Sequence, residues 1–161
     1  MTLPFSTQIE GKPNYFIEKI WRGLLNSRKS PIYMYSIYNN KYAEIFGESW
    51  GSKIGLLPKI HTIRQDKSNR WKEGDKIHFV INNRTANQFE FAPVIQCVRI
   101  QKIEIIHKHI PMVKIDGQEQ SFYELQRLAS NDGFDSVEEF FKYFKEDFNG
   151  KIIHWTSAIY L

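Results

Sequence analysis

The stretch Lys59-Ile-His-Thr-Ile-Arg-Gln-Asp66, followed closely by Trp71-Lys-Glu-Gly-Asp75, decides how the rest of the chain is interpreted. Alternate side chains of an extended backbone point to the same face, so Thr62 and Arg64 would share a face that Lys59 does not. Bringing these three side chains together would need a loop or a bulge. The stretch therefore predicts a strand at a binding site, then a turn at the glycine and a second strand. It also fits an ordinary edge strand with solvated charges.

The composition indicates a globular protein with one ordinary core. The chain has 161 residues, 42% of them hydrophobic, which predicts a single domain over residues 1–161. A net charge of +4 and an aromatic content of 15% suit a nucleic-acid partner, but they also fit many other proteins. Cys97 is the only cysteine, which excludes an intrachain disulfide and a cysteine-based zinc site. We interpret it as a small buried residue rather than a nucleophile.

No apolar stretch has the length of a membrane span, and the N-terminus lacks the charged and apolar regions of a signal peptide. We therefore predict a cytoplasmic protein without a membrane partner. The sequence carries no signal for a particular oligomeric state.

Hydrophobic periodicity predicts an α+β domain built around a small mixed barrel. A capping box at Ser136 opens the last helix, which we expect to end at Gly150. A change of the apolar face predicts a bulge near residues 101–102. The predicted helices cover residues 14–26, 36–46, 122–131 and 136–149, and the predicted strands cover 3–9, 76–81, 89–91, 94–107, 112–115, 118–121 and 151–160.

Residues 27–58 interrupt this pattern and are predicted to be an insertion. Residues 32–35 could be extended, and a helix could follow up to Gly47. The segment is rich in aromatic residues and glycine, so it could form a lid over a pocket or pack on the outside.

Few other motifs carry chemistry. His107 and His109 would share a strand face, but no third ligand accompanies them, so we predict no metal site and no cofactor. The segment Asn131-Asp-Gly-Phe134 predicts a helix end at which Gly133 adopts a left-handed conformation. That arrangement would leave Asp132 to face a cleft.

The pattern Lys59-x-x-Thr62-Ile-Arg64, then Trp71-Lys-x-Gly-Asp75 and a late Leu128-Ala129…Asp132 segment, resembles the ASCH-domain family of PUA-like folds. The resemblance covers most of the chain outside residues 27–58. It implies a small PUA-like mixed β-barrel surrounded by helices, with a cleft and a link to RNA or nucleosides.

The resemblance also implies candidate catalytic residues. Some members of the family are amidohydrolases that remove the acetyl group from N4-acetylcytidine. Their lysine, threonine and glutamate would correspond to Lys59, Thr62 and Asp132, and the aspartate is one methylene shorter than the glutamate.

Three functions follow from the sequence as hypotheses. The first is binding of RNA or a nucleotide base, with cations holding phosphate and an aromatic ring stacking on a base. The second is amide hydrolysis, in which Thr62 attacks the acyl carbon, Lys59 activates it and Asp132 passes its proton to the leaving amine. The third is a protein-interaction domain. The phosphate-binding candidates are Lys59, Arg64, Lys67 and Arg70, and the stacking candidates are Trp71 and Trp50.

Overall fold

The structure is a computed structural model that describes residues 1–51 and 53–161. The described residues form four helices, which confirms the α+β class. The helices are α1 (Phe16–Asn26), α2 (Ile32–Phe46), α3 (Phe122–Asn131) and α4 (Val137–Tyr143). The strands are β1 (Thr2–Phe5), β2 (Gln8–Ile9), β3 (Lys12–Pro13), β4 (His61–Arg64), β5 (Lys76–Ile81), β6 (Phe89–Glu90), β7 (Ile95–Gln96), β8 (Arg99–Ile106), β9 (Met112–Ile115), β10 (Gln118–Glu119) and β11 (Phe148–His154).

The chain divides into two compact units. The first comprises residues 1–59 and 76–96, and the second comprises residues 60–75 and 97–161. None of the sheets formed by the described residues closes into a barrel. The single domain predicted over residues 1–161, with an insertion at 27–58, stays a prediction.

The first unit contains a sheet in the order β1-β5-β6, in which β7 also pairs with β5. Helix α1 begins where the Asn14 side chain accepts a hydrogen bond from the Phe16 amide at 3.0 Å. Its apolar face is buried, and the Trp21 indole donates to the carbonyl of Phe91 at 2.8 Å. The helix predicted over residues 14–26 is therefore confirmed, and it begins two residues later than predicted.

Helix α2 ends as predicted but begins earlier. Gly47 ends it in the left-handed conformation, with φ of 82°. The extended segment expected over residues 32–35 is wrong, because these residues form the first turn of the helix. The β propensity of this segment is outweighed by packing, since Tyr35 meets the ring of Trp21 edge-on at 5.5 Å.

The second unit contains a five-stranded sheet in the order β10-β9-β8-β11-β4. Strands β8 and β11 pair without interruption from Arg99 opposite His154 to Ile105 opposite Phe148, so the bulge predicted near residues 101–102 is wrong. The apolar pattern shifts because the buried Gln101 takes an inward position on β8. The predicted strand over residues 94–107 breaks at residues 97–98 instead.

Helix α4 begins where the sequence predicts but ends earlier than predicted. The Ser136 hydroxyl accepts from the Glu139 amide at 3.1 Å, so the predicted cap is confirmed. The extension of this helix to Gly150 is wrong, because α4 ends at Tyr143 and Gly150 lies within β11. A Cβ atom on Gly150 would lie 2.6 Å from the carbonyl oxygen of Arg64, so glycine permits the close approach of β4 to β11.

In the described part of the chain, none of the helices combines the length and the apolar character needed to cross a membrane.

Candidate functional site

Strand β4 lies at one edge of the sheet in the second unit, where it pairs with β11. The end of α3 lies against its other edge. The backbone amide of Ile60 donates to the carbonyl of Asn131 at 2.9 Å, and the amide of Ile63 donates to Oδ1 of Asp132 at 3.2 Å. The carboxylate of Asp132 is therefore bound to the residue next to Thr62, so two of the predicted site residues lie close together.

Thr62 is the most unusual residue of β4. It is 0% exposed, and its hydroxyl makes no hydrogen bond to any residue that the structure describes. A buried hydroxyl without a partner costs about 1–3 kcal/mol, and most buried polar groups in native proteins are paired. Such a group can be explained by a ligand atom that supplies the missing hydrogen bond.

Asp132 is buried directly after the last residue of α3. Gly133 follows with φ of 92°, which confirms the predicted helix end. Besides the Ile63 amide, Nδ1 of His61 faces the carboxylate at 3.7 Å from Oδ1. One oxygen atom of the Asp132 carboxylate, Oδ1, therefore accepts a backbone hydrogen bond and also faces the imidazole of His61.

Arg64 ends β4 as a half-buried residue. Its Nη1 donates to the carbonyl of Ile63 at 3.1 Å. Burial lowers the pKa of Arg64, against the opposing effect of Asp132 and Tyr143. The guanidinium therefore adds positive charge near the Asp132 carboxylate, and its predicted contact with phosphate stays a prediction.

The loop after β4 is held in shape by one ion pair. Lys151 on β11 lies 2.9 Å from a carboxylate oxygen of Asp66, whose two oxygen atoms also accept from the amides of Arg70 and Trp71. Burial would raise the pKa of Asp66, but these hydrogen bonds lower it, so the carboxylate stays ionised. The loop is thereby fixed in a conformation that exposes Lys67 and the Arg70 side chain.

The two tryptophans predicted to stack on a base are buried. Trp71 is 6% exposed, and Trp50 is 9% exposed. In the first unit, Trp50 instead packs on the ring of Trp21 with centroids 6.5 Å apart and donates to the Tyr35 hydroxyl at 3.3 Å. Their stacking role stays a prediction that would require side-chain movement.

Lys59 belongs to the first unit, where it ends the segment of residues 1–59. Its side chain is buried, and its ammonium lies 4.8 Å from the ring centroid of Phe16 and 6.0 Å from that of Phe5. Aromatic ring faces stabilise a desolvated cation. The catalytic role of Lys59, together with those of Thr62 and Asp132, stays a prediction.

The structure also reveals polar residues that sequence reasoning did not assign to the site. Nε2 of His61 lies 2.7 Å from the hydroxyl of Tyr160, which accepts from the Asn131 amide at 2.9 Å. The rings of His61 and His154 meet edge-on at 5.3 Å. Each of these histidines interrupts a run of apolar residues in a strand, and that pattern was the available signal.

Metal binding finds no support in the described residues, which contain no group of three or more histidine, cysteine or acidic side chains placed to hold an ion. His107, one of the two histidines that the sequence places on one strand face, has its Nε2 2.6 Å from the carbonyl of Phe144. Cys97 is buried, and burial raises the pKa of its thiol to about 11, which disfavours a nucleophilic thiolate.

No family model, no curated protein and no solved structure matches the chain. The geometry around β4 is therefore the principal support for a function.

Proposed function

We propose that the protein binds RNA or a nucleotide base at β4 and at the loop 65–71 that follows it. One observation carries the proposal: the buried Thr62 hydroxyl lacks a partner among the described residues and lies beside a residue bound to the Asp132 carboxylate. Hydroxyl and carboxylate groups are suited to the donors and acceptors at the edge of a base. The loop then offers Lys67 and Arg70 in solvent, where cations contact phosphate.

The resemblance to the ASCH family supports the same proposal. The motif Lys59-x-x-Thr62-Ile-Arg64 and the later Asp132 occur in the order expected of that family. Within the proposal, the fold is of the PUA-like type.

The first test measures the affinity of a single-stranded RNA oligonucleotide at several salt concentrations. Lys67→Ala and Arg70→Ala each remove one cation that binds phosphate, so each should weaken binding and reduce the slope of log K against log salt by about one. The matched control is Lys142→Ala, an exposed lysine on α4. An equal decrease in affinity for all three variants would reduce the interaction to non-specific charge.

The second test uses Thr62→Val, which replaces the hydroxyl by a methyl group of similar size. Affinity should fall about threefold to tenfold, because one neutral hydrogen bond to the ligand is removed. The free protein should become equally or more stable to urea, since a buried unpaired hydroxyl is removed. A variant that is less stable than the wild type would show that the hydroxyl has a structural partner.

A second candidate function is amide hydrolysis, favoured by the same Thr62 hydroxyl. In this reaction the hydroxyl attacks the acyl carbon, Lys59 lowers its pKa or takes its proton, and Asp132 delivers the proton to the leaving amine as the C–N bond breaks. A water molecule then cleaves the Thr62 ester, which releases the carboxylic acid and restores the hydroxyl. Incubation with N4-acetylcytidine should release cytidine, Thr62→Val and Lys59→Ala should be inactive, and Asp132→Glu should keep or gain activity. Absence of turnover by the wild type on this nucleoside and on smaller N4-acyl analogues would exclude the assignment.

A third candidate is a protein-interaction domain, favoured by α2. This helix has no buried residue, and Tyr33 and Ile37, which are neighbours on one face at i and i+4, are both exposed. Such apolar surface commonly marks an interface. Sedimentation velocity over a wide concentration range would detect self-association, and Tyr33→Glu should abolish it. A single species with unchanged sedimentation coefficient would exclude association through this helix between copies.

A further inference from the structure

A chain of polar contacts in the second unit runs from Asn131 through Tyr160 and His61 to Asp132. Nδ2 of Asn131 donates to Oη of Tyr160 at 2.9 Å, and Oη lies 2.7 Å from Nε2 of His61. On the opposite side of the imidazole, Nδ1 lies 3.7 Å from Oδ1 of Asp132, which is an electrostatic contact longer than a hydrogen bond. The imidazole is wholly buried, and so it stands between a phenol and a carboxylate away from water.

The donors and acceptors in this chain have a definite direction. An amide NH2 group can only donate, and a phenol has a single proton to give. Because Oη of Tyr160 accepts from Asn131, the phenolic proton points to Nε2 of His61. Nε2 then accepts, so a neutral His61 carries its proton on Nδ1, the nitrogen that faces Asp132. Burial raises the pKa of Tyr160, so the phenol keeps the proton that this arrangement needs.

The position of Tyr160 is fixed by Gln101, which is not one of these four residues. Its backbone amide donates to Oε1 of Gln101 at 3.0 Å, and its carbonyl accepts from Nε2 of Gln101 at 2.8 Å. Gln101 is buried on β8 and also donates to Asp116 at 2.9 Å. The segment after β11 is therefore held to the sheet by both backbone groups of Tyr160, and the hydroxyl has a fixed position.

We propose that Tyr160 and Asn131 hold His61 in the tautomer protonated on Nδ1, and that His61 thereby positions the Asp132 carboxylate beside Thr62. His61 is a positioning residue, since it acts through Asp132. This second half rests on the proposed function, because a positioned carboxylate matters only to a ligand that meets it. At 3.7 Å an Nδ1–H group acts on the Asp132 carboxylate through its dipole rather than through a hydrogen bond, and the positive end of a dipole near a carboxylate favours the ionised form.

An imidazolium at His61 is the main alternative protonation state. Its Nε2–H would donate to Tyr160 Oη, which already accepts from Asn131. The phenolic proton would then need another acceptor. It would also place a charge beside the His154 ring, 5.3 Å away in a buried environment. The neutral Nδ1–H form avoids both costs.

The test of the tautomer is long-range ¹H–¹⁵N correlation spectroscopy on protein labelled at histidine, with the His61 signals assigned through His61→Gln. In the wild type, Nδ1 of His61 should show a protonated, pyrrole-type shift and Nε2 an unprotonated, pyridine-type shift. In Tyr160→Phe, Nε2 no longer has its donor, and the ring should move toward the Nε2–H form. Tyr123→Phe is the matched control, since Tyr123 is exposed in the first turn of α3.

A second variant reverses the chain of polar contacts without removing the phenol. In Asn131→Asp, the carboxylate accepts the phenolic proton, so Oη must accept from His61 and Nε2 becomes protonated. This variant also keeps the test decisive if Tyr160→Phe fails to fold. A pyrrole-type Nε2 or an imidazolium in the wild type would overturn the proposal. Unchanged His61 shifts in the folded variants would do the same.

Binding of the RNA oligonucleotide tests the positioning half. Tyr160→Phe should weaken affinity about threefold to tenfold, measured well below its melting temperature, whereas Tyr123→Phe should leave affinity unchanged. If Thr62→Val weakens binding and Tyr160→Phe does not, His61 does not position Asp132. If the wild type binds no RNA or nucleotide while the His61 shifts are as expected, the proposed function fails and the tautomer assignment stands.

Discussion

His154 should make the protein lose stability as the pH falls from 7 to 5. Its side chain is completely buried on β11, with the ring of His61 at 5.3 Å and that of Tyr160 at 6.1 Å. Burial lowers the pKa of His154 from 6.5 to about 3, and the nearby His61 adds to this effect. Smaller charge effects oppose each other, because Asp116 raises the pKa and Arg99 lowers it.

The direction of this change in stability follows from proton binding to the folded and unfolded protein. The unfolded chain binds a proton at His154 near pH 6.5, but the folded protein binds it only near pH 3. Lowering the pH through this window therefore favours the unfolded chain, and the stability contributed by the neutral ring is fully present only above the unfolded pKa. At pH 5 the solution is about 1.5 units below the unfolded pKa, so the free energy of unfolding should fall by about 2 kcal/mol.

Urea unfolding at pH 7 and pH 5 measures this change, with His154→Gln as the control. Glutamine is polar and does not titrate. The histidines away from residue 154 contribute equally to both proteins, and repeating the comparison in a His61→Gln background removes the one histidine that acts on the pKa of His154. The free energy of unfolding of the wild type should therefore fall by about 2 kcal/mol more than that of the variant between the two pH values. Equal decreases in both proteins would refute the reasoning, because His154 would then titrate alike in the folded and unfolded states.

Three further substitutions test the fold of the second unit by urea unfolding. Phe144→Ala should cost about 3–5 kcal/mol, because Phe144 is buried among Phe140, Phe134 and Phe148, and a stability equal to wild type would contradict the placement of α4. Gly150→Ala should cost about 1–3 kcal/mol, because its Cβ would lie 2.6 Å from the Arg64 carbonyl oxygen, and a neutral result would mean that β4 and β11 are less closely paired. Lys151→Met should cost about 1.5–3 kcal/mol, because the Asp66 carboxylate loses its cation and keeps only the amide hydrogen bonds of Arg70 and Trp71, and adding Asp66→Asn should recover part of that stability; no recovery would argue against this ion pair.

Elements with local signals could be predicted from the sequence. Strand β5 matches its predicted bounds, and the hairpin of β9 and β10 turns at Asp116 and Gly117, which have φ of 49° and 85°. Both positive values fit the type I′ turn expected of this dipeptide. The beginning of β11 could not be predicted, because Phe148 and Gly150 acquire their strand partners only from β8, far away in the chain.

Some features of the candidate site could likewise be predicted from the sequence, and others could not. Thr62 and Asp132 were predicted from a motif, and the structure brings them close through the amide of Ile63. The contact of His61 with Tyr160 joins residues 99 positions apart, so no local pattern indicates it. The burial of Trp50 and Trp71 could not be predicted either, because the sequence around a tryptophan does not show whether its ring packs in the core or stacks on a ligand.

The contact of Asp132 with Ile63 also has a consequence for self-association. An edge strand with unpaired amides can recruit a strand from another molecule, which leads to domain swapping or aggregation. On β4 the Asp132 carboxylate binds one such amide, and just before the strand the carbonyl of Asn131 binds the amide of Ile60. The opposite edge of the sheet is β10, a strand of only two exposed residues. Removing the Asp132 side chain would therefore expose an amide for intermolecular strand pairing as well as alter the candidate site.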